Sequence, residues 1–546
     1  MNINEIKISL FLIGAINKFV KFLLHISSKN NILNKQYDFI VIGSGISGLC
    51  SAALLSKRGF QVLVLEKHFK AGGFTHTFKR QGYEWDVGIH YIGDVHRPYS
   101  LSGALFRYIS EDRLQWNKMS DNYDKIVFPD KEYNFFSPKE RFVNDLKNNF
   151  PEEKKAIDKY MDLLDVVAKA GKAFYAAKAA PKFVYKLTYS ITSKPFIKFA
   201  SQTTMEVLSS LTTNKKLIGV LCGQWGDYGL PPSQSSFVMH AMVARHYLDG
   251  ANYPIGGSSS IAASIVPTIQ KNGGHVVVSA GVKKIICEGK RAVGVMLEDG
   301  TEIAANKIIS SCGVTNTFER LLRDQSVKEY DQIKKVSISG GHLCLHIGIN
   351  SSYKKLNLTD TNIWLYPGYD HDKNVLNHSQ NMNSDFPLIY FSFPSAKDPK
   401  WQQDHPNKTT IELITMSQYE WFKRWSQKPW KKRGEEYEST KEALSIRLLD
   451  RMYEHLPQLK GKVDYYELST PLSTRDMSHY QRGELYGLNH TPSRFNQKSL
   501  TPRTSIKNLY LTGQDIVSVG LTGALSAGAL TVSAILRKNI LKDLRK

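Results

Sequence analysis

Apolar positions change their period several times along this chain, and each change predicts an element. Residues 6–26 are strongly apolar, yet Lys7, Gly14, Lys18, Lys21 and His25 recur at helical spacing as one narrow polar stripe. The longest uncharged run there, residues 8–17, is shorter than the roughly 20 apolar residues of a comfortable membrane span. The pattern predicts an N-terminal membrane-associating helix within residues 1–35, with a signal peptide and an ordinary packing helix as the alternatives. At Tyr37 the pattern becomes a β-branched run, Tyr-Asp-Phe-Ile-Val-Ile, of the kind found in parallel strands buried on both faces. Residues 49–57, with small Ala52 and Ala53, predict a helix, and residues 61–65 a second strand. Residues 276–280, 281–285 and 293–297 predict successive strands, residues 508–515 a strand ending in a glycine and an acid, and the Gly/Ala-rich residues 520–536 an apolar helix.

Between the first strand and its helix lies Gly43-Ser44-Gly45-Ile46-Ser47-Gly48. Gly43 permits the tight strand-to-helix turn, Gly45 lets backbone N–H groups approach a pyrophosphate, and Gly48 allows close packing of the helix. Phosphates would then sit at a helix N-terminus, where the macrodipole favours negative charge. A glycine pattern of this kind is weak evidence alone, but the second strand ends at Glu66, about 20 residues on, where a carboxylate can bind an adenosine ribose. That acid would repel a 2′-phosphate. Strand, glycines, helix, strand and acid in register predict an α/β, Rossmann-like dinucleotide site, with Ser44 in the turn and Lys67 beside the acid as part of it.

Composition adds a partner class. Hydrophobic residues make up 42% and charged residues 22% of the 546, which excludes a disordered chain, and no repeat stands out. The 72 Lys plus Arg against 50 Asp plus Glu leave a formal charge of +22, which calls for an acidic partner. No zinc spacing, RNA-binding signature or basic heptad region supports nucleic acid, so a membrane surface is the better reading. Five widely spaced cysteines without a CxxC pair imply neither a disulfide framework nor a metal site. Residues 166–204 point the same way as the net charge. Beyond Val166 they carry Lys169, Lys172, Lys178, Lys182, Lys186, Lys194 and Lys198 among Phe174, Tyr175, Phe183, Tyr185, Phe196 and Phe199. Basic heads with aromatic bodies suit an anionic lipid interface, and a solvated helical face over a core stripe fits the same residues.

Gly72-Gly73, followed by residues 82–88 (GYEWDVG), resembles the extended FAD-binding signature of glutathione-reductase-like and amine-oxidase-like flavoproteins. Residues 508–515 and the helix after them, with Gly513, Asp515 and Gly523, are similar to the C-terminal FAD segment of those families. The resemblance implies that the Gly-Gly turn passes the pyrophosphate and ribityl chain, that Asp515 meets ribityl hydroxyls, and that Val282 contacts adenine through its backbone. Four runs are more specific: residues 72–93 (GGFTHTFKRQGYEWDVGIHYIG), 227–257 (DYGLPPSQSSFVMHAMVARHYLDGANYPIGG), 390–401 (YFSFPSAKDPKW) and 486–514 (YGLNHTPSRFNQKSLTPRTSIKNLYLTGQ). They resemble the all-trans-retinol 13,14-reductase, or retinol saturase, family, related to carotenoid isomerases and bacterial-type phytoene desaturases. The likeness runs from about residue 36 to 536 and leaves the N-terminal extension aside.

That resemblance implies FAD-dependent hydride transfer through flavin N5 to a carbon–carbon double bond of a long apolar polyene, a retinoid or carotenoid drawn from a membrane. A carotenoid desaturase or isomerase of the same fold, a flavin amine oxidase, and a non-catalytic lipid carrier like the GDP-dissociation inhibitors are the competing implications. No second complete glycine motif is present for a nicotinamide cofactor, so NAD(P)H is at most a transient electron donor. Saturation also needs a proton. His90, Tyr91, Tyr228, His240, His246 and Tyr247 are the candidate donors, because imidazole and phenol donate when their pKa values are tuned. His90, Tyr91 and Tyr247 are the catalytic assignment, and Asp86 is read as structural or ligand-contacting rather than catalytic. The expected architecture is a discontinuous FAD-binding domain from residues 36–95, 255–335 and 480–546, and an α+β substrate domain from residues 96–254 and 336–479, behind the N-terminal helix.

Overall fold

The computed structural model describes residues 32–33, 35–97 and 99–545; the apolar segment 6–26 lies outside the described residues. Strand Tyr37–Ile42 is flanked in parallel by Val62–Leu65 and Glu302–Ser310, with His275–Val277 beyond the former and Leu509–Leu511 beyond the latter. Arg291–Leu297 and Val282–Glu288 extend this seven-stranded sheet in antiparallel fashion. The β-branched run is apolar on both faces for a reason. Ile40 and Ile42 pack into one core, under the sheet edge that carries Ile285 and Val295, while Phe39 and Val41 pack into the other, beneath the helices.

Helices Ile46–Ser56 and Gly520–Leu536 cross on that second face. They approach closely because a Cβ on Gly528 would lie 2.7 Å from the Ser47 carbonyl. Gly528 thus draws the C-terminal helix onto the helix that follows the first glycine turn.

A second seven-stranded sheet has the order Val463–Ser469, Gly341–Ile349, Thr409–Ser417, Ile389–Ser392, Asn362–Leu365, Asn122–Val127 and Glu132–Phe136. It is antiparallel except where Asn362–Leu365 meets Asn122–Val127. Helix Glu435–His455 packs in the core on one side of it. Helices Lys154–Ala179, Lys182–Ala200 and Phe237–Tyr247 form the largest core on the other side.

Helix pairing settles how the basic-aromatic stretch is used. Phe174 stacks on Phe196 with ring centroids 4.2 Å apart, and both are buried. Lys178 is buried too, donating to the Ile516 carbonyl at 3.3 Å, and burial drives its ammonium down to about 7. These residues belong to the core, correcting the lipid-facing reading for them. Phe183, Val184, Leu187 and Ile191 remain, 73, 42, 61 and 78% exposed, with Phe183, Leu187 and Ile191 one turn apart on a single face. Among the described residues no helix is long and apolar enough to cross a membrane.

Candidate functional site

The glycine turns meet at the C-terminal edge of the first sheet. Gly43 sits at φ +93°, which only glycine adopts without strain, and turns the chain from strand into helix. A Cβ on Gly48 would fall 2.2 Å from the Gly43 carbonyl, so its packing partner is the turn itself. Gly45 is the N-cap of helix Ile46–Ser56 and lends no side chain to its free N–H groups. Gly72 and Gly73 both have positive φ, and a Cβ on Gly73 would lie 3.1 Å from the Gly45 Cα. Glu66 ties the two turns together. Its Oε2 accepts from the Ser44 amide at 2.8 Å and hydroxyl at 2.6 Å, its Oε1 accepts from the His68 amide at 2.8 Å, and the Ser44 hydroxyl in turn accepts from the Gly72 amide at 3.0 Å. Oε2 is thus filled, and Oε1 keeps a lone pair for a further donor.

These turns border a crevice of about 660 Å³ lined by Gly43, Gly45, Glu66, Lys67, Gly72, Gly73, Val282 and Gly513. Ser44 and Gly48 stand behind this wall and shape it. Asp515 is placed differently from the expectation of a ribityl contact. It is buried, does not line the crevice, and accepts from the Val314 amide at 2.8 Å and the Leu488 amide at 2.9 Å, so both of its oxygens brace loops. Gly523 also lies off the crevice, with a Cβ position 2.2 Å from the Ser518 carbonyl that fixes the start of helix Gly520–Leu536. Uncapped N–H groups, glycines with no room for a side chain and a free-faced carboxylate form a donor set that fits the ADP half of FAD. A second uncapped helix start, at Gly520, borders the crevice further along.

A second, mostly apolar cavity of about 770 Å³ adjoins the first. Val87, Gly88, Ile89, His342, Leu485, Tyr486, Gly520 and Leu521 line both. His90, Tyr91, His246 and Tyr247 line the apolar cavity. Tyr91 and Tyr247 stack with centroids 4.4 Å apart, and Tyr390 with Trp364 continues this aromatic wall. Tyr228 and His240 do not reach it. They are buried against each other and Tyr160, with His240 bonded at 2.9 and 3.2 Å and held at about 3 by burial, and so act as a packed pair. His246 is neutralised by burial and accepts from the Gly93 amide at 2.8 Å. Asp86 is raised to about 6 by burial and receives the Tyr253 hydroxyl and the Ser258 amide, the structural one of the two roles expected of it.

The polar groups around the cavity come largely from positions that sequence reasoning did not single out. His90 Nδ1 lies 3.0 Å from Glu412 Oε2, and His346 Nδ1 lies 3.5 Å from Oε1. Burial alone would raise Glu412, but the two imidazoles hold it down at about 2. Cys344, His346 and Glu412 bring three donor atoms within 4.8 Å. Burial keeps the thiol protonated and Glu412 is engaged by imidazoles, so the group reads as a hydrogen-bonded charge pair rather than a cation site. Lys397, fully buried, donates to the His90 carbonyl at 2.9 Å and the Ser392 hydroxyl at 2.8 Å, and burial lowers it to about 8. Lone charges inside apolar runs, such as Glu412 in residues 409–417 (TTIELITMS), were the available signal.

Comparison with known proteins fits this geometry. The pattern of the family "Flavin containing amine oxidoreductase" matches residues 46–536. An all-trans-retinol 13,14-reductase of Danio rerio is 36% identical, over 94% of this chain and 89% of that protein. The chain belongs to the all-trans-retinol 13,14-reductase family. Within it, a relative named inactive all-trans-retinol 13,14-reductase, also of Danio rerio, is 31% identical over 94% of this chain and 90% of that protein. A chloroplastic prolycopene isomerase of Daucus carota is 27% identical over 90% of this chain and 80% of that protein. Among solved structures, a putrescine oxidase bound to putrescine gives a TM-score of 0.61 at 15% identity, covering 92% of this chain and all of that one. At that identity the likeness speaks for the fold alone, an amine-oxidase-type FAD-binding fold.

Proposed function

We propose that this chain is an FAD-dependent reductase that saturates one carbon–carbon double bond of a membrane-dissolved polyene, with retinol as the first substrate to test. The observation that carries the reading is the shared wall. A long apolar ligand in the larger cavity would meet the crevice along the wall the two share, Val87–Ile89, His342, Leu485, Tyr486, Gly520 and Leu521, so one of its double bonds would face the end of a dinucleotide held by Gly43, Gly45, Glu66, Gly72, Gly73 and Val282. A bound flavin supplies the hydride at N5. The protein orients the polyene against the Tyr91, Tyr247, Tyr390 and Trp364 wall and excludes water. The uncapped start of helix Gly520–Leu536 favours negative charge at that junction, as an anionic reduced cofactor would carry.

The deciding assay uses purified protein loaded with FAD and reduced chemically, offered retinol, phytoene and poly-cis carotenoids in turn. A retinol product heavier by two hydrogens is the expected result; an isomer of unchanged mass would favour the carotenoid-isomerase reading that the Daucus carota relative supports. NAD(P)H is proposed only as a transient donor, tested by whether it replaces the chemical reductant.

Membrane contact is proposed at the exposed stripe. The cavity lining includes Lys172, Ala176, Ala179, Ala180 and Pro181, of which Lys172, Ala176 and Pro181 are exposed, so it reaches the surface two residues before the start of that stripe at Phe183. An apolar stripe on a protein of formal charge +22 suits an anionic bilayer from which an insoluble substrate enters. Replacing Phe183, Leu187 and Ile191 together by serine is expected to lower co-sedimentation with anionic vesicles by about tenfold or more. Unchanged binding would move the contact elsewhere.

A further inference from the structure

Saturating a double bond adds a hydride to one carbon and a proton to its neighbour, and the second half of that balance needs an O–H or N–H group open to the cavity. Several charged and imidazole groups around the cavity are already committed. Glu412 is ionised between His90 and His346, His246 accepts from a backbone amide, and the Lys397 ammonium is spent on a carbonyl and a hydroxyl.

One cluster is different. The Tyr91 hydroxyl lies 3.0 Å from Asp124 Oδ2 and 3.1 Å from Asp227 Oδ2. A hydroxyl has one proton and can donate to only one of them. Asp124, fully buried, also receives the Gln224 amide at 2.8 Å and the Asn362 amide at 2.8 Å, which is the environment of an ionised carboxylate. Tyr91 therefore donates to Asp124, and the Asp227 contact closes only if Asp227 carries a proton and donates it to the Tyr91 oxygen. Two carboxyls about 6 Å apart at most, in a site this dry, do not both ionise. Tyr247 also hydrogen-bonds Asp227 and offsets part of the shift, and Tyr366, Tyr390 and Tyr486 are the other titratable groups that sense it. The cation of the cluster, Lys397, acts on Asp124.

Asp227 is also the member with access. It lines the apolar cavity and keeps part of its surface free, whereas Asp124 does not. The Tyr486 hydroxyl donates to the Gly226 carbonyl at 3.0 Å, and Tyr486 lines both the cavity and the flavin crevice. The acid thus stands one residue from a side chain at the junction.

We propose that Asp227 is the proton donor of the reduction, storing one proton that it shares with Asp124 through the Tyr91 hydroxyl. The proposal rests on the reductase reading. In the step, the Asp227 O–H bond breaks and a C–H bond forms at one alkene carbon, while the hydride of a reduced flavin adds to the other. Both electrons of the reduction come from that hydride, and Asp227 is left as a carboxylate that water reprotonates after the product leaves. Burial and the Asp124 charge raise its carboxyl to about 8, so the proton is present at neutral pH.

The test compares full-length wild type with Asp227→Asn and Asp227→Glu, all loaded with FAD. In the absence of substrate, the infrared difference between wild type and Asp227→Asn at pH 7 should contain the carbonyl band of a protonated carboxylic acid, shifted in D2O. In single turnover with reduced protein and retinol, Asp227→Asn should slow product formation by about 10²-fold or more while retinol binding and FAD content hold, and Asp227→Glu should recover part of the rate. No protonated-acid band, or an Asp227→Asn rate within about threefold of wild type, overturns the proposal alone. A wild type that shows the band but reduces no polyene overturns instead the reductase reading beneath it.

Discussion

Replacing Gly73 by valine is expected to yield a protein that purifies colourless and takes up FAD at least about 100-fold more weakly. Two effects add. Gly73 adopts φ +58°, a left-handed conformation that costs a β-branched residue about 1–2 kcal/mol or more. Its Cβ would also stand 3.1 Å from the Gly45 Cα, wedging apart the two turns between which a pyrophosphate would pass. The Ser44–Glu66–Gly72 hydrogen bonds join those same turns, so the disturbance spreads to the carboxylate that would hold the ribose. Gly59 is the control. It too has positive φ, at +83°, but it is exposed with nothing within 4 Å, so Gly59→Asn should keep full colour. Flavin absorbance after saturation and desalting reads both variants, and a fully yellow Gly73→Val protein would remove the cofactor from this crevice.

How far this arrangement was legible in sequence depended on the distance over which each signal acts. The flavin half was readable because its evidence is local. A β-branched run, glycines at fixed offsets and an acid about 20 residues on all report one strand–turn–helix–strand unit, and the strands Tyr37–Ile42 and Val62–Leu65 form as expected. The cavity chemistry was not readable in the same way. Tyr91 was singled out as a lone phenol, but its partners Asp124 and Asp227 come from a distant strand and from the turn before helix Phe237–Tyr247, and only the tertiary fold brings three such positions to one oxygen. The same limit explains residues 166–204. Whether Phe174 or Phe183 faces outward depends on which side of one helix meets the next, and the composition of the stretch carries no phase. Asp515 shows the reverse case, a motif position whose type was anticipated but whose partners, the Val314 and Leu488 amides, give it a bracing role.

The stability of Asp227→Asn should depend on pH in a way that separates a stored proton from an ordinary structural contact. An aspartate carboxyl has an ordinary value of 3.8, and in the folded protein burial and then the neighbouring Asp124 charge raise Asp227 to about 8. Between those values the folded state holds a proton that the unfolded state has released, so wild-type stability is fully present below about pH 4 and declines as pH rises towards 8. Asparagine has no such proton to lose. The difference in stability, variant minus wild type, should therefore climb in the variant's favour from pH 5 to pH 8.5 by about 2–4 kcal/mol, since one pKa unit corresponds to about 1.4 kcal/mol and the coupled pair shares the cost. Thermal denaturation of the FAD-loaded proteins across that range measures it. The variant that is slow in turnover would then gain on wild type in stability as pH rises, the signature of a group kept uncharged against its own solvation for the sake of its proton. A constant deficit for Asp227→Asn at every pH would mean instead that Asp227 is ionised and serves only as an acceptor for Tyr91.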